Sequence, residues 1–370
     1  MIMAELDELC EFLSPSARLD LRSSALDYVL GLTGSSEGLA LLGKHTRLLQ
    51  RLLELAGDSS QPVLCRDSHL ALLNASADAE LAESLVRLDA APRLLERLVD
   101  SKWKEADKIC MTLSNLTRGE SGSSAVSRAL AESGGCSVSL YNLVDIFGRV
   151  GYSKHANYDY LATVFSNISR LGLVRKMFLN RDKCIVPRLL HYTQSSSLTR
   201  RGGIIGLLRN LCFQVESHEW LLGEEVDILP SLLLPLAGPE ELSEDEAERL
   251  PIDLQYLPND KTREEDPDIR KMLLEALTKA SSKIFLYLAY VTILSMSEVY
   301  KDEGVRRCCL ELISILIGEE PEPGMRDLDK VAIPSEMSRQ LDRLGETGGA
   351  VDSVASQSGG SLVSSEVAKS

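Results

Sequence analysis

Four asparagines recur along this chain in nearly the same setting. They are Asn74 in Leu72-Leu73-Asn74-Ala75-Ser76, Asn115 in Thr112-Leu113-Ser114-Asn115-Leu116-Thr117, Asn167 in Val164-Phe165-Ser166-Asn167-Ile168-Ser169, and Asn210 in Leu207-Leu208-Arg209-Asn210-Leu211-Cys212. Their separations are 41, 52 and 43 residues. A carboxamide offers donors and an acceptor, so a row of them could hold the main chain of an extended peptide without reading its side chains. One helical turn beyond each stand Ala77, Arg118, Arg170 and Phe213, which would add two cations and an aromatic to the same face. The alternative chemistry is structural. Each amide could bond the backbone of the neighbouring repeat, since a buried amide must be satisfied either way.

The other chemistry-bearing residues do not assemble a reaction centre. Gly38-Leu39-Ala40-Leu41-Leu42-Gly43-Lys44-His45 nearly spells a phosphate loop, but His follows the Lys and the interior is an apolar helix stripe. Gly202-Gly203-Ile204-Ile205-Gly206 reads as a flexible helix start rather than a dinucleotide fingerprint. His45, His69, His155, His191 and His218 lie far apart and read as surface or capping residues. The carboxylates are concentrated in a solvated run, with no pair set in an apolar pocket for acid–base work. Asn74-Ala75-Ser76, Asn115-Leu116-Thr117 and Asn167-Ile168-Ser169 are formal glycosylation sequons, read here as by-products of the repeat.

The elements that position the asparagines follow from the period. A spacing near 42 residues is the signature of stacked helical repeats. Leucines spaced by threes and fours (Leu39, Leu42, Leu48, Leu49, Leu52, Leu53) give amphipathic helices, and no period-2 segment is long enough for a sheet. Ser14-Pro15 predicts a helix start, and Gly31 marks a degenerate first repeat lacking its Asn. A helix is predicted over Lys102–Arg118, and the 52-residue interval carries an insertion bracketed by Gly119–Ser124 and Ser133–Gly135. The period resumes at Leu273-Leu274-Glu275-Ala276-Leu277, with Ala276 in the Asn place, and once more at Leu312–Leu316.

Composition fits this picture. Of 370 residues 44% are hydrophobic but only 5% aromatic, which suits helix-on-helix packing. The net charge is −15, and residues 216–268 hold 17 acids against Arg249, Lys261 and Arg263. The body outside that segment is close to neutral, and the overall sign disfavours nucleic acid. Eight cysteines without a C-x-x-C read as reduced thiols in a cytoplasmic protein. The longest apolar run, Ile284–Met296, has 13 residues and is shorter than the roughly 20 a membrane span needs.

Asparagines on the last helix of each repeat resemble those of armadillo proteins. The second half is more specific. Pro251-Ile252-Asp253-Leu254-Gln255-Tyr256-Leu257, Asp260-Lys261-Thr262-Arg263-Glu264, Asp266 to Leu277, and Ile317-Gly318-Glu319-Glu320-Pro321-Glu322-Pro323-Gly324-Met325 are similar to the eukaryotic Hgh-one homologue family, also called brain protein 16-like. Val164 to Arg170 carries the same resemblance, and the chain departs from the family over Lys279–Tyr300. The resemblance implies a non-enzymatic chaperone adaptor that binds newly made translation elongation factor two and links it to the cytosolic chaperonin and prefoldin. The alternative is an armadillo-type cargo or scaffold protein. For a nuclear-import groove the residues four before each Asn are wrong, being Leu70, Met111, Thr163 and Gly206 where tryptophans are needed.

The expectation is therefore an all-α, armadillo/HEAT-like α-solenoid of about six to seven helical repeats, acting as a monomer. N-terminal repeats occupy 1–237, an acidic insertion loop 238–268, C-terminal repeats 269–344 and a disordered tail 345–370. The groove residues are Asn74, Asn115, Arg118, Asn167, Arg170, Asn210 and Phe213. No catalytic, cofactor or metal residue is assigned, and neither nucleic acid nor membrane is a partner.

Overall fold

The leucine spacing becomes a set of amphipathic helices. In Thr46–Ala56, Leu48, Leu49, Leu52, Leu53 and Leu55 are all buried while Gln50, Arg51 and Glu54 face outward, the division a one-sided apolar stripe requires. The computed structural model describes residues 2–131, 137–238, 251–258, 260–280, 302–305 and 307–309. Ser133–Gly135, the heart of the acidic insertion at 239–250, the departing stretch from 281 to 300, Leu312–Leu316 and the tail 345–370 lie outside the described residues. The chain divides into two units, 1–281 and 282–370. In the second, Val305, Cys308 and Cys309 are buried.

The first unit is a succession of three-helix repeats, and no strand occurs among the described residues. After α1 (Ile2–Phe12) and α2 (Leu19–Leu32), the repeats run α3 (Ser36–Gly43), α4 (Thr46–Ala56), α5 (Pro62–Ser76); α6 (Ala79–Arg87), α7 (Ala90–Leu98), α8 (Ala106–Leu116); α9 (Glu120–Leu130), α10 (Leu140–Gly148), α11 (Leu161–Ile168); α12 (Gly172–Phe178), α13 (Ile185–Leu189), α14 (Leu198–Leu211); and α15 (His218–Leu222), α16 (Ile228–Leu233), with a short α17 (Ile252–Gln255) before α18 (Pro267–Ala280). Contacts run from each third helix to the next: α2 with α5, α5 with α8, α8 with α11, α11 with α14, α14 with α18. These six inner helices form one continuous row, within the repeat number read from the sequence.

Helix starts carry their own chemistry. The Asp78 side chain accepts from the amides of Glu80 and Leu81, each at 3.0 Å, and Ser35 and Ser197 cap α3 and α14 in the same manner. Ser139 and Asn142 form a reciprocal capping box on α10. Pro62 takes the first position of α5, where its missing N–H costs nothing.

Several predicted boundaries shift. Ser14-Pro15 does not open a helix. The Ser14 hydroxyl bonds the Ser16 hydroxyl at 2.9 Å, and the Ala17 amide closes a turn onto the Ser14 carbonyl, so α2 starts only at Leu19. The helix placed at Lys102–Arg118 is shorter because Asp100 gathers the amides of Lys102 and Trp103 into a turn ahead of it. Gly119–Ser124, which brackets the insertion, is helical from Glu120 onward, as the first part of α9. Gly202, Gly203 and Gly206 lie inside α14, where closeness rather than flexibility explains them. A Cβ at Gly203 would fall 2.4 Å from the Ala162 backbone, and one at Gly206 2.4 Å from the Ser166 hydroxyl. The two glycines let α14 and α11 approach as helices bearing Cβ atoms there could not.

The stretch Asp260–Asp266 is a strap. Glu264 N–H donates to the Pro235 carbonyl at 2.8 Å, Arg263 Nε to Leu236 O at 3.1 Å and Lys261 Nζ to Ala237 O at 3.3 Å. The Glu264 carboxylate, 4% exposed, receives Arg201 of α14 in a fork at 2.5 and 3.1 Å. The segment thereby carries the chain from α16 to α18 fixed against α14.

Candidate functional site

The asparagine row is a hydrogen-bonded ladder. Asn74 Nδ2 donates to Thr33 Oγ1 at 2.9 Å, Asn115 Nδ2 to Ser76 Oγ at 3.0 Å, Asn167 Nδ2 to Thr117 Oγ1 at 3.1 Å and Asn210 Nδ2 to Ser169 Oγ at 3.0 Å. Asn167 and Asn210 add the carbonyls of Ser114 at 3.2 Å and Ser166 at 2.9 Å. Each acceptor hydroxyl lies two residues after the Asn position of the preceding repeat, and its own proton is engaged. Thr33 donates to Leu30 O, Ser76 to Leu73 O, Thr117 to Leu113 O and Ser169 to Ser166 O, at 2.6 to 2.8 Å. A hydroxyl whose proton turns back on its own helix leaves its lone pairs for the next asparagine. Every rung therefore needs an Asn on one inner helix and a Ser or Thr two residues past the Asn position of the preceding one. The sequons are the ladder itself.

The ladder begins and ends as that rule demands. At the first inner helix, Gly31 replaces the Asn but Thr33 keeps the acceptor. At the last, Ala276 replaces the donor and Cys212 replaces the acceptor together. Burial pushes the Cys212 thiol up to about 12, leaving an inert side chain where the acceptor would stand. An ion pair between Arg209 and Glu275 stands near the missing rung.

The predicted site residues differ in how far their polar groups are already engaged. Asn74, Asn115 and Asn167 are half-buried and spend Nδ2 on the neighbouring repeat, while their Oδ1 atoms have no hydrogen-bond partner among the described residues. Asn210 is 6% exposed and its Oδ1 takes Arg209 Nη1 at 3.3 Å. Arg170 is committed to main chain: Nε to Asn167 O at 2.9 Å, Nη2 to Thr117 O at 2.7 Å and to Arg118 O at 3.0 Å. It closes over the C-terminus of α8, where Ser123 Oγ also donates to Thr117 O at 2.7 Å. Arg118 is exposed, and its guanidinium has no partner among the described residues. Phe213 is 45% exposed, with Arg209 and Lys279 each 5.6 Å from its ring centre. Lys279 was missed because Ala276 hides the register. Counted from Ala276, it occupies the same place as Arg118, Arg170 and Phe213.

Two histidines are buried rather than on the surface. His45 links Cys10 Sγ, 3.6 Å from Nδ1, to Asp7 Oδ1, 2.9 Å from Nε2. Cys10 is fully buried and burial pushes its thiol up, so the thiolate a nucleophile requires is disfavoured and the triad reads as a polar clasp between α1 and the start of α4. His69, 1% exposed, meets Trp103 edge-on, and burial holds its pKa down at about 4. Among the described residues no three His, Cys, Asp or Glu side chains are grouped to hold a metal ion, and no helix is long and apolar enough to cross a membrane.

Three-helix repeats stacked through an asparagine on four of the six inner helices define an armadillo-type α-solenoid. Solved structures agree on the fold. An engineered protein aligns with a TM-score of 0.63 at 13% identity, covering 91% of this chain and 71% of that one. A designed armadillo repeat protein in complex with a (KR)4 peptide aligns at 0.54 and 16% identity, covering 75% of this chain and all of that one. A family profile described as a domain of unknown function, DUF383, matches residues 97–271. Protein HGH1 homolog of Danio rerio is 44% identical over 348 residues, 92% of this chain and 91% of that protein. Its namesakes in Homo sapiens and Drosophila melanogaster are 44% and 36% identical, each over 92% of this chain and over 89% and 96% of those proteins. The chain belongs to the HGH1 homologue family.

Proposed function

We propose that this protein is a non-enzymatic, monomeric chaperone adaptor of the cytoplasm. It holds an extended segment of newly made elongation factor two on its inner-helix face and links that client to the cytosolic chaperonin and prefoldin. The client and machinery come from the family resemblance in Pro251 to Leu277. The observation that supports the face is the row of half-buried asparagines whose Oδ1 atoms, after the ladder has formed, have no hydrogen-bond partner among the described residues. Such acceptors can receive the main-chain N–H groups of an extended chain whatever its sequence. Neither a nucleic acid nor a membrane has a part in this reading.

A general armadillo scaffold for other extended peptides would use the same face. Import-type cargo is disfavoured, because Leu70, Met111, Thr163 and Gly206 stand where lysine-sandwiching tryptophans would be needed.

Crosslinking with mass spectrometry on a complex captured from translating lysate tests the proposal. Elongation factor two and chaperonin subunits should be recovered, with crosslinks concentrated on α5, α8, α11 and α14. Recovery of neither partner, or crosslinks confined to the outer helices α4, α7 and α10, would overturn it.

A further inference from the structure

The face of the inner helices changes character along its length. In the register three residues beyond each Asn position, the first repeats carry Gly34 and Ala77, and the later ones Arg118, Arg170, Phe213 and Lys279. These four form a line across successive repeats: Arg170 Nη2 reaches the Arg118 carbonyl at 3.0 Å, and Lys279 Nζ lies 5.6 Å from the Phe213 ring centre. A ring holds an ammonium in place without neutralising it. Lys279 and Arg118 are exposed, and neither has a carboxylate partner among the described residues.

Of the acids on α8 and α18 and the one just before α11, all but Asp268 are otherwise occupied. Asp107 accepts from the amides of Asn157 and Tyr158 at 3.1 and 2.9 Å. Asp159 takes Arg200 at 2.5 Å and Ser197 at 2.8 Å, and Glu275 takes Arg209. Asp268 is exposed but sits in the first turn of α18, eleven residues and about 16 Å along the helix from Lys279. One turn before the Asn positions the floor is soft and apolar, with Met111 and Met272 half-buried and Met272 lying over Gly206. A molecule of net charge −15 thus keeps Arg118, Arg170 and Lys279 in one register, with Met111 and Met272 beside the two ends of that line.

We infer that the α8–α18 part of this face takes an acidic extended peptide, one whose carboxylates alternate with apolar side chains. Its carboxylates meet Arg118 and Lys279, its apolar side chains lie on Met111 and Met272, and its main chain bonds the asparagines. This deepens the groove reading above and depends on it. The charge preference is opposite to that of the designed armadillo protein bound to (KR)4.

The test is fluorescence anisotropy on the full chain with three labelled twelve-residue probes: alternating Glu-Leu, alternating Lys-Leu and alternating Ser-Leu. The Glu-Leu probe should bind about tenfold or more tighter than either other probe, with affinity falling as salt rises. Arg118→Glu and Lys279→Glu should each weaken it about tenfold, while Arg93→Glu on α7 leaves it unchanged. Thermal melting of each variant, matched to the parent, shows that the fold is intact, and Arg118→Gln and Lys279→Gln serve if a reversal melts early. Equal or tighter binding of the Lys-Leu or Ser-Leu probe, still lost on Asn115→Ala, would overturn the acidic preference and leave the groove standing. Binding of no probe, together with client capture unaffected by Arg118→Glu and Lys279→Glu, would overturn both.

Discussion

Asn115 donates its amide to the hydroxyl of Ser76, 3.0 Å away and 39 residues earlier in the chain. The bond crosses a repeat boundary, and Ser76 is itself held by the Leu73 carbonyl at 2.7 Å. The coupling is measurable. Asn115→Ala and Ser76→Ala should each destabilise by about 1–2 kcal/mol in urea titrations. The double variant should cost less than the sum by at least about 0.5 kcal/mol, because each single change already breaks the rung. Strict additivity would mean the two side chains do not act as a pair.

Arg118 and Arg170 stand in the same register but should respond differently. Arg170→Ala removes three main-chain hydrogen bonds, and a loss of about 2–3 kcal/mol is expected in chemical denaturation. Arg118→Ala should stay within about 0.5 kcal/mol of the parent.

The α11–α14 contact predicts an asymmetry between neighbouring glycines. Gly203→Ala drives a methyl into the Ala162 backbone and should cost about 1–3 kcal/mol despite the better helix propensity of Ala. Gly202→Ala meets only the movable end of Ile269 at 3.2 Å and should be near neutral or stabilising. A matched pair of melting curves decides it.

The strap gives a pH signature. Burial alone pushes the Glu264 carboxyl up, but the hydrogen bonds from Arg201 and from the Asp266 and Glu265 amides outweigh it and hold the group below the usual carboxylate range. A lowered folded value contributes stability that is complete above the unfolded pKa of about 4.3 and is lost as pH falls through the folded one. Urea midpoints should therefore fall on acidification below about pH 5, and Glu264→Gln should be less stable at pH 7 and flatter across that range.

Much of this was legible in the sequence, for reasons that particular residues make plain. The asparagines announce the repeat because one donor per repeat must keep its place. The acceptors Ser76, Thr117 and Ser169 were equally visible as the last letters of three sequons, but a hydroxyl carries meaning only once its partner some forty residues on is known to lie beside it. Arg170 looked like a free groove cation because its target carbonyls at 117 and 118 come from another repeat. Gly203 looked flexible because the backbone it makes room for, at Ala162, is absent from its local sequence. Lys279 escaped notice because the landmark that would have indexed it had become Ala276.

The ladder has a polarity that local helix packing does not. The inner helices of Asn74, Asn115 and Asn167 each present a plug toward the N-terminus and a socket toward the C-terminus, so these units are interchangeable parts. Excising residues 77–117 would remove one plug and one socket together and offer the socket of Ser76 to the plug of Asn167. The final joint, where Cys212 and Ala276 hold the two places, has neither fitting, so the helix Pro267–Ala280 lacks the plug that the socket of any other inner helix would require.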